Sequence, residues 1–169
     1  AACDRSLREL ESRGYRVTRS YGYKQIDLGR SQMASDALAA GYEETLWIDA
    51  DTAFHPDMVE RLRSHGEPVV CGIYPKKNKR ELAIHAMPGT EYIHFGVGGG
   101  LLEIMYAPTG FLLVRREVYE KIRTDLELPL CWADTGRTLH PYYAPLIRPD
   151  GDGSWYLAED FAFCERARQ

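Results

Sequence analysis

The sequence lacks the roughly 20 consecutive apolar residues that a membrane-crossing helix needs, and its opening residues Ala1-Ala2-Cys3-Asp4-Arg5 carry no signal-peptide pattern. A soluble chain with no membrane span is expected. Cysteine is sparse: Cys3, Cys71, Cys131 and Cys164 are scattered, with no Cys-x-x-Cys pair. That scatter argues against structural zinc and a disulfide framework, and for reduced thiols in a cytoplasmic protein. Positive charge is not in excess either. The 21 Lys and Arg against 25 Asp and Glu leave a net charge of −4. This argues against nucleic acid as a partner on a broad basic surface, while leaving local basic groups for a phosphorylated small molecule. Internal repeats and low-complexity tracts are also missing. What is present, 169 residues that are 44% hydrophobic and 27% charged, suffices for a single domain over 1–169 with a proper core.

The most informative stretch is Thr45-Leu46-Trp47-Ile48-Asp49-Ala50-Asp51, an apolar strand ending in two carboxylates with one small residue between them. Alternate residues of a strand point the same way, so Asp49 and Asp51 can converge at its tip. Such a pair suits Mg²⁺ or Mn²⁺, which takes oxygen ligands and keeps positions open for substrate phosphates. The plain alternative is an Asp that forms a turn or caps a helix.

Leu7 and Leu10 among charged residues, closed by Gly14, predict a first helix, followed by a strand at 15–20. A second helix is predicted from Arg30 or Ser31 to Ala40, and a third opens at His55-Pro56-Asp57 and closes at Gly66. Residues 68–74 form a buried strand. This alternation predicts a doubly wound α/β sheet, mainly parallel and flanked by helices. Beyond Tyr74 the rhythm changes to short strands at 83–87, 92–95, 101–105 and 111–114, a smaller antiparallel portion. A helix at 116–123, a long loop from Pro129 to Ser154 and a last helix from about Ala158 complete the reading. A doubly wound domain normally opens on a strand and closes its last helix with a stop signal. The expectation is therefore a domain truncated at one or both ends.

Five blocks together resemble the nucleotide-sugar glycosyltransferases of the GT-A fold, a family-2-like bacterial and phage group. They are Gly29-Arg30-Ser31, the acidic stretch with Phe54-His55-Pro56, Val70 to Lys77, Ala107-Pro108-Thr109-Gly110-Phe111, and Tyr156 to Arg166 with Glu159-Asp160. The resemblance implies a metal-dependent enzyme that moves a sugar from a nucleoside-diphosphate sugar, UDP-sugars favoured, to a carbohydrate or other hydroxyl acceptor, with inversion. It implies Mn²⁺ or Mg²⁺ on Asp49 and Asp51. Asp160 becomes the general base, with Glu159 in support. Arg30, Asp49, Tyr74 and Lys77 are assigned to the donor, and Thr109, Gly110 and Trp155 to the acceptor.

Each assignment has a plainer counterpart. The two helix-start acids also suit the helix dipole, Arg30 also suits a surface position, and Gly110 also relieves a bend. The first strand with its nucleoside loop, and a histidine after the Glu-Asp helix, are the departures from the family pattern. Two rival readings stand beside it. A non-catalytic nucleotide-sugar or glycan-binding domain fits the same blocks. A haloacid-dehalogenase-type phosphatase also places Asp-x-Asp at a strand end, but Thr52 follows the second Asp one position too early.

Overall fold

A computed structural model describes residues 2–133 and 136–169. The elements run α1 (Ala2–Ser12), α2 (Ile26–Ala39), β1 (Glu44–Ile48), α3 (Asp57–Ser64), β2 (Val69–Cys71), β3 (His85–Ala86), a 3₁₀ turn (Gly96–Gly98), β4 (Ile104–Tyr106), β5 (Phe111–Arg115), α4 (Arg116–Asp125), β6 (Cys131–Trp132), β7 (Thr138–Leu139), β8 (Leu146–Asp150), β9 (Gly153–Leu157) and α5 (Glu159–Arg168).

The centre is β5, whose Phe111, Leu112, Leu113 and Val114 are all buried. A strand covered on both faces reads as a continuous apolar run, and the pleat divides that run between two cores. Phe111 and Leu113 join Leu10, Val59, Leu62 and Val70 beneath α1 and α3. Leu112 and Val114 join Trp47, Tyr119, Tyr143 and Phe163 beneath α2, α4 and α5. Within the second core Tyr143 stacks on Phe163 with centroids 4.6 Å apart. The Tyr119 hydroxyl accepts from Trp47 Nε1 at 2.9 Å and lies 3.1 Å from the Tyr143 hydroxyl. The indole N–H and both phenols are thus satisfied without water, as burial requires.

The mainly parallel GT-A type sheet expected from the sequence is not what forms. The largest sheet has three strands in the order β1-β5-β2, three two-stranded sheets surround it, and every pairing among the described residues is antiparallel. The physical reason is insertion. β1 and β2, joined through α3, do run in one direction, but β5 enters between them in the opposite one. It takes Ile48 against Phe111 and Cys71 against Leu112. The strand carrying the acids at its tip is therefore an edge of this sheet rather than its centre.

Smaller corrections follow the same logic. Residues 15–20 and 92–95 form no strand, and 129–154 is no structureless loop, since β6–β7 and most of β8–β9 lie within it. Helix α2 starts at Ile26, a turn earlier than expected. Its Gly29 is required, because a Cβ there would come within 2.9 Å of the Tyr23 ring. No helix among the described residues is long and apolar enough to cross a membrane. All four cysteines are free.

Candidate functional site

Antiparallel insertion gathers three chain segments at one end of the sheet. Because β1 and β2 both oppose β5, their C-terminal ends lie beside its N-terminal end. Asp49, Tyr74 and Gly110 therefore meet there. The Asp49 N–H donates to the Gly110 carbonyl at 3.2 Å, and the Gly110 N–H donates to the Tyr74 hydroxyl at 3.0 Å. A Cβ on Gly110 would lie 2.1 Å from that hydroxyl and 3.1 Å from Asp49 Oδ2. Glycine is thus the residue that lets a phenol and a carboxylate close on the backbone at once.

Helix α2 brings the cation. Arg30 is only 7% exposed, and its Nη2 donates to Asp49 Oδ1 at 3.0 Å. Its Nε lies 3.8 Å from Glu159 Oε1, beyond hydrogen-bond reach, and is shielded from solvent without a hydrogen-bond partner among the described residues. The guanidinium also sits 5.8 Å from the centre of the Trp47 ring, a cation–π distance. One buried guanidinium thus joins the tip of β1 to the start of α5, segments over a hundred positions apart.

The acids of α5 are held partly out of water. Burial, then the neighbouring Asp160 charge, raises the Glu159 carboxyl above its ordinary range, with Arg30 opposing. Burial likewise raises Asp160, opposed chiefly by the Phe161 N–H, which donates to Asp160 Oδ1 at 2.8 Å. The Asp49 charge adds to the rise on both. The Tyr74 phenol is pushed up to about 12 by burial and by Asp49, which keeps it a neutral donor. Three carboxylates around one arginine leave an excess of negative charge. A carboxyl raised by burial is a better proton acceptor than a solvated one.

The remaining assigned residues divide. Asp51 pairs with Lys77, a contact that lowers the carboxyl and raises the ammonium, and both side chains face solvent. Thr109 is 3% exposed, so it packs at the entrance to β5 with almost no surface for an acceptor. Trp155 lies on the β8–β9 hairpin opposite Arg148, which binds the Tyr106 hydroxyl at 2.9 Å and Glu165 at 3.4 Å. No hydrogen bond or aromatic pair among the described residues links Trp155 to the acids around Arg30. Trp47 was missed as a site residue. Its place in the acidic stretch was visible, but its contact with Arg30 depends on how α2 packs.

Among the described residues, no group of three or more His, Cys, Asp or Glu side chains is gathered to hold a metal ion. Asp49 is drawn to Arg30 and Asp51 to Lys77. Even so, their side chains are 42% and 57% exposed at the same end of the sheet. Two accessible carboxylates fit a hard cation that takes most of its ligands from substrate phosphates and water, and do not make an all-protein cage.

No protein-family model and no curated protein matches this chain. Among solved structures, the crystal structure of A197 from STIV aligns with a TM-score of 0.49 at 20% sequence identity, over 86% of this chain. The chain spans 61% of the length of that protein. A likeness at this level carries no argument about fold or function.

Proposed function

We propose that this chain is a glycosyltransferase that moves a sugar from a nucleoside-diphosphate sugar, UDP-sugars favoured, to a hydroxyl of a carbohydrate or other acceptor. The observation that supports it is the convergence of Asp49 and Glu159, from opposite parts of the chain, on buried Arg30, with Asp160 beside them kept basic by burial. The reading rests on this site and not on the arrangement of the sheet.

Asp160 takes the acceptor proton as the hydroxyl oxygen attacks the anomeric carbon. The bond from that carbon to the donor phosphate breaks, and its electron pair leaves with the diphosphate. Direct attack inverts the anomeric centre. Asp49 holds Arg30 by a hydrogen bond, and Glu159 faces its Nε as a nearby charge. Exposed Lys77 meets the leaving diphosphate directly, buried Arg30 adds its positive charge from behind Asp49, and Tyr74 donates its neutral hydroxyl at the crevice wall. Mg²⁺ or Mn²⁺ held by Asp51 and Asp49 would supply Lewis-acid stabilisation of the departing diphosphate. Gly110 lets Asp49 and Tyr74 close on the backbone beside the acceptor's place, with Trp155 as a more distant aromatic surface and buried Thr109 as support. Four free thiols accord with a cytoplasmic protein.

The pairing of Asp49 with Arg30 and of Asp51 with Lys77 favours a second reading, a binding domain whose charges are already satisfied. Transfer from UDP-sugars in the presence of Mn²⁺, followed with the Asp160→Asn variant, separates the two. The proposal expects donor binding to persist in the variant while transfer falls about 10²- to 10⁴-fold. Donor binding with no transfer by the parent protein refutes catalysis and leaves the binding domain.

A further inference from the structure

Sugar transfer gives Asp51 to the cation and Lys77 to the diphosphate, yet in the structure these two side chains hold each other. The contact sits on a short hairpin, residues 74–83, that follows β2. The Ala83 N–H donates to the Tyr74 carbonyl and the Lys76 N–H to the Glu81 carbonyl, both at 2.8 Å, and Pro75 bridges to Leu82. Its tip is a tight turn. The Lys79 N–H closes it on the Lys76 carbonyl at 3.3 Å, and Asn78 takes φ 58°, a left-handed conformation that asparagine tolerates.

The base of this hairpin is anchored, because the Tyr74 hydroxyl accepts the Gly110 N–H in the crevice wall. The tip is tethered at one point. Residues 75–81 are all exposed, and Lys76 pairs with Glu81 inside the hairpin. Among the described residues, the Lys77–Asp51 pair is the one hydrogen bond or ion pair that ties positions 76–81 to the rest of the chain. The two acids after β1 thus hold cations of different kinds. Arg30, which takes Asp49, is buried in α2 with its guanidinium over Trp47 and has nowhere to go. Lys77 is 79% exposed on an arm, and its partner Asp51 is 57% exposed. An exposed pair of this kind contributes little and is screened by salt, so it yields to a stronger partner. A divalent cation attracts a carboxylate more strongly than an ammonium does, and a diphosphate attracts an ammonium more strongly than one carboxylate does.

We propose that the 74–83 hairpin is a phosphate-carrying arm, and that Lys77 is the counter-ion that Asp51 exchanges for the metal. With neither ligand bound, the ammonium neutralises Asp51. With both bound, Asp51 turns to the divalent cation and Lys77 to a diphosphate oxygen. This inference rests on the reading of Asp51 as a ligand to the donor's cation. It also couples the two ligands. Either one alone breaks the pair and leaves one member without a partner, whereas the two together break it once and satisfy both members, so each favours the other. Removing the lysine then has effects of opposite sign, freeing Asp51 for the metal while depriving the diphosphate of a donor.

Two binding measurements on the full chain test this without any sugar transfer. Mn²⁺ alone is titrated by loss of the free-ion electron paramagnetic resonance signal, and UDP at saturating Mn²⁺ by calorimetry. Lys77→Met should tighten Mn²⁺ alone about two- to fivefold. The same variant should weaken UDP about tenfold. Lys79→Met removes one charge from the same turn without breaking an ion pair among the described residues, and should leave Mn²⁺ alone within about 1.5-fold of the parent. Mn²⁺ affinity that is unchanged or weaker in Lys77→Met, equally tightened in Lys79→Met, or undetectable in both parent and Lys77→Met overturns the exchange. UDP affinity unchanged in Lys77→Met overturns the arm. Asp51→Ala separates this inference from the reading beneath it. Full Mn²⁺-dependent UDP binding in that variant overturns both, whereas loss of binding there, with no effect of Lys77→Met, overturns the exchange alone.

Discussion

Gly110→Ala is the substitution whose outcome the geometry fixes most tightly. The added methyl would stand 2.1 Å from the Tyr74 hydroxyl and 2.8 Å from its Cζ, so the ring must swing away. Swinging breaks the bond donated by the Gly110 N–H, worth about 0.5 to 1.5 kcal/mol. Displacing a half-buried ring in a packed wall adds about 1 to 3 kcal/mol of strain. Together these give about 2 to 4 kcal/mol, or a fall in melting temperature of roughly 5 to 15 °C for a chain of this size. Strain of this kind belongs to a pair of residues and not to one. In a Tyr74→Ala background the clash is gone, and Gly110→Ala should cost under about 1 kcal/mol. Urea unfolding of the parent, both single variants and the double variant gives the coupling, expected at about 2 to 3 kcal/mol. Additive costs, with coupling below about 0.5 kcal/mol, would show that the phenol does not sit against this glycine.

Asp160→Asn should stabilise the protein at neutral pH. Burial raises the folded carboxyl above its unfolded value, so its favourable contribution is present at low pH and is lost as pH rises through the folded value. Thermal melts of parent and variant should diverge above the ordinary carboxylate range and converge below it; a variant less stable at pH 7 contradicts the burial argument. Asp51→Ala should abolish Mn²⁺-dependent UDP binding while leaving the melt nearly unchanged, because the Asp51–Lys77 pair is solvent-exposed. UDP binding at full strength in calorimetry would remove Asp51 from the metal. Tyr119→Phe leaves the Trp47 indole N–H without its acceptor inside the core and should cost about 1 to 3 kcal/mol, read by denaturant unfolding.

Local features were legible where apolar pattern and chemistry coincide. The run from Thr45 to Ile48 announced a strand, and the abrupt change to Asp49 located its tip. Helices α1 and α3 followed from leucine and valine spacing with stops at Gly14 and Gly66, α4 from Val118, Tyr119 and Ile122, and α5 from Phe161, Ala162 and Cys164. The start of α2 did not, because its buried face is Gly29, Arg30, Ser31, Gln32 and Ala34, a mostly polar set without an apolar stripe. The β8–β9 hairpin was hidden by Arg148, Pro149 and Asp150 in strand positions, and by a turn at Gly151 with φ 56° that reads equally well as loop. Strand order was invisible, since nothing in residues 111–115 says that they enter between two earlier strands. The same limit applies to the site. That Asp49 and Asp51 follow a strand end can be read from the apolar run, but the strand stops at Ile48 and the Thr52 N–H donates to the Asp49 carbonyl at 2.9 Å, so a turn and not strand alternation places the two acids. That Arg30 is buried and shared with Glu159, and that Thr109 is closed to solvent, depends on long-range packing.

The late arrival of the central strand has a consequence for how the chain is made. β1 and β2 both leave the ribosome before β5, and they do not pair with each other. Until Phe111 to Arg115 emerge, each presents an unpaired backbone edge, with Leu46, Trp47 and Val70 lacking the residues that cover them. Synthesis at about 5 to 20 residues per second makes this interval a matter of seconds. Sheet closure also joins positions far apart in sequence, the kind of contact that slows folding. The nascent chain is therefore most vulnerable to aggregation just before β5 appears, and its dependence on chaperones should be concentrated in that window.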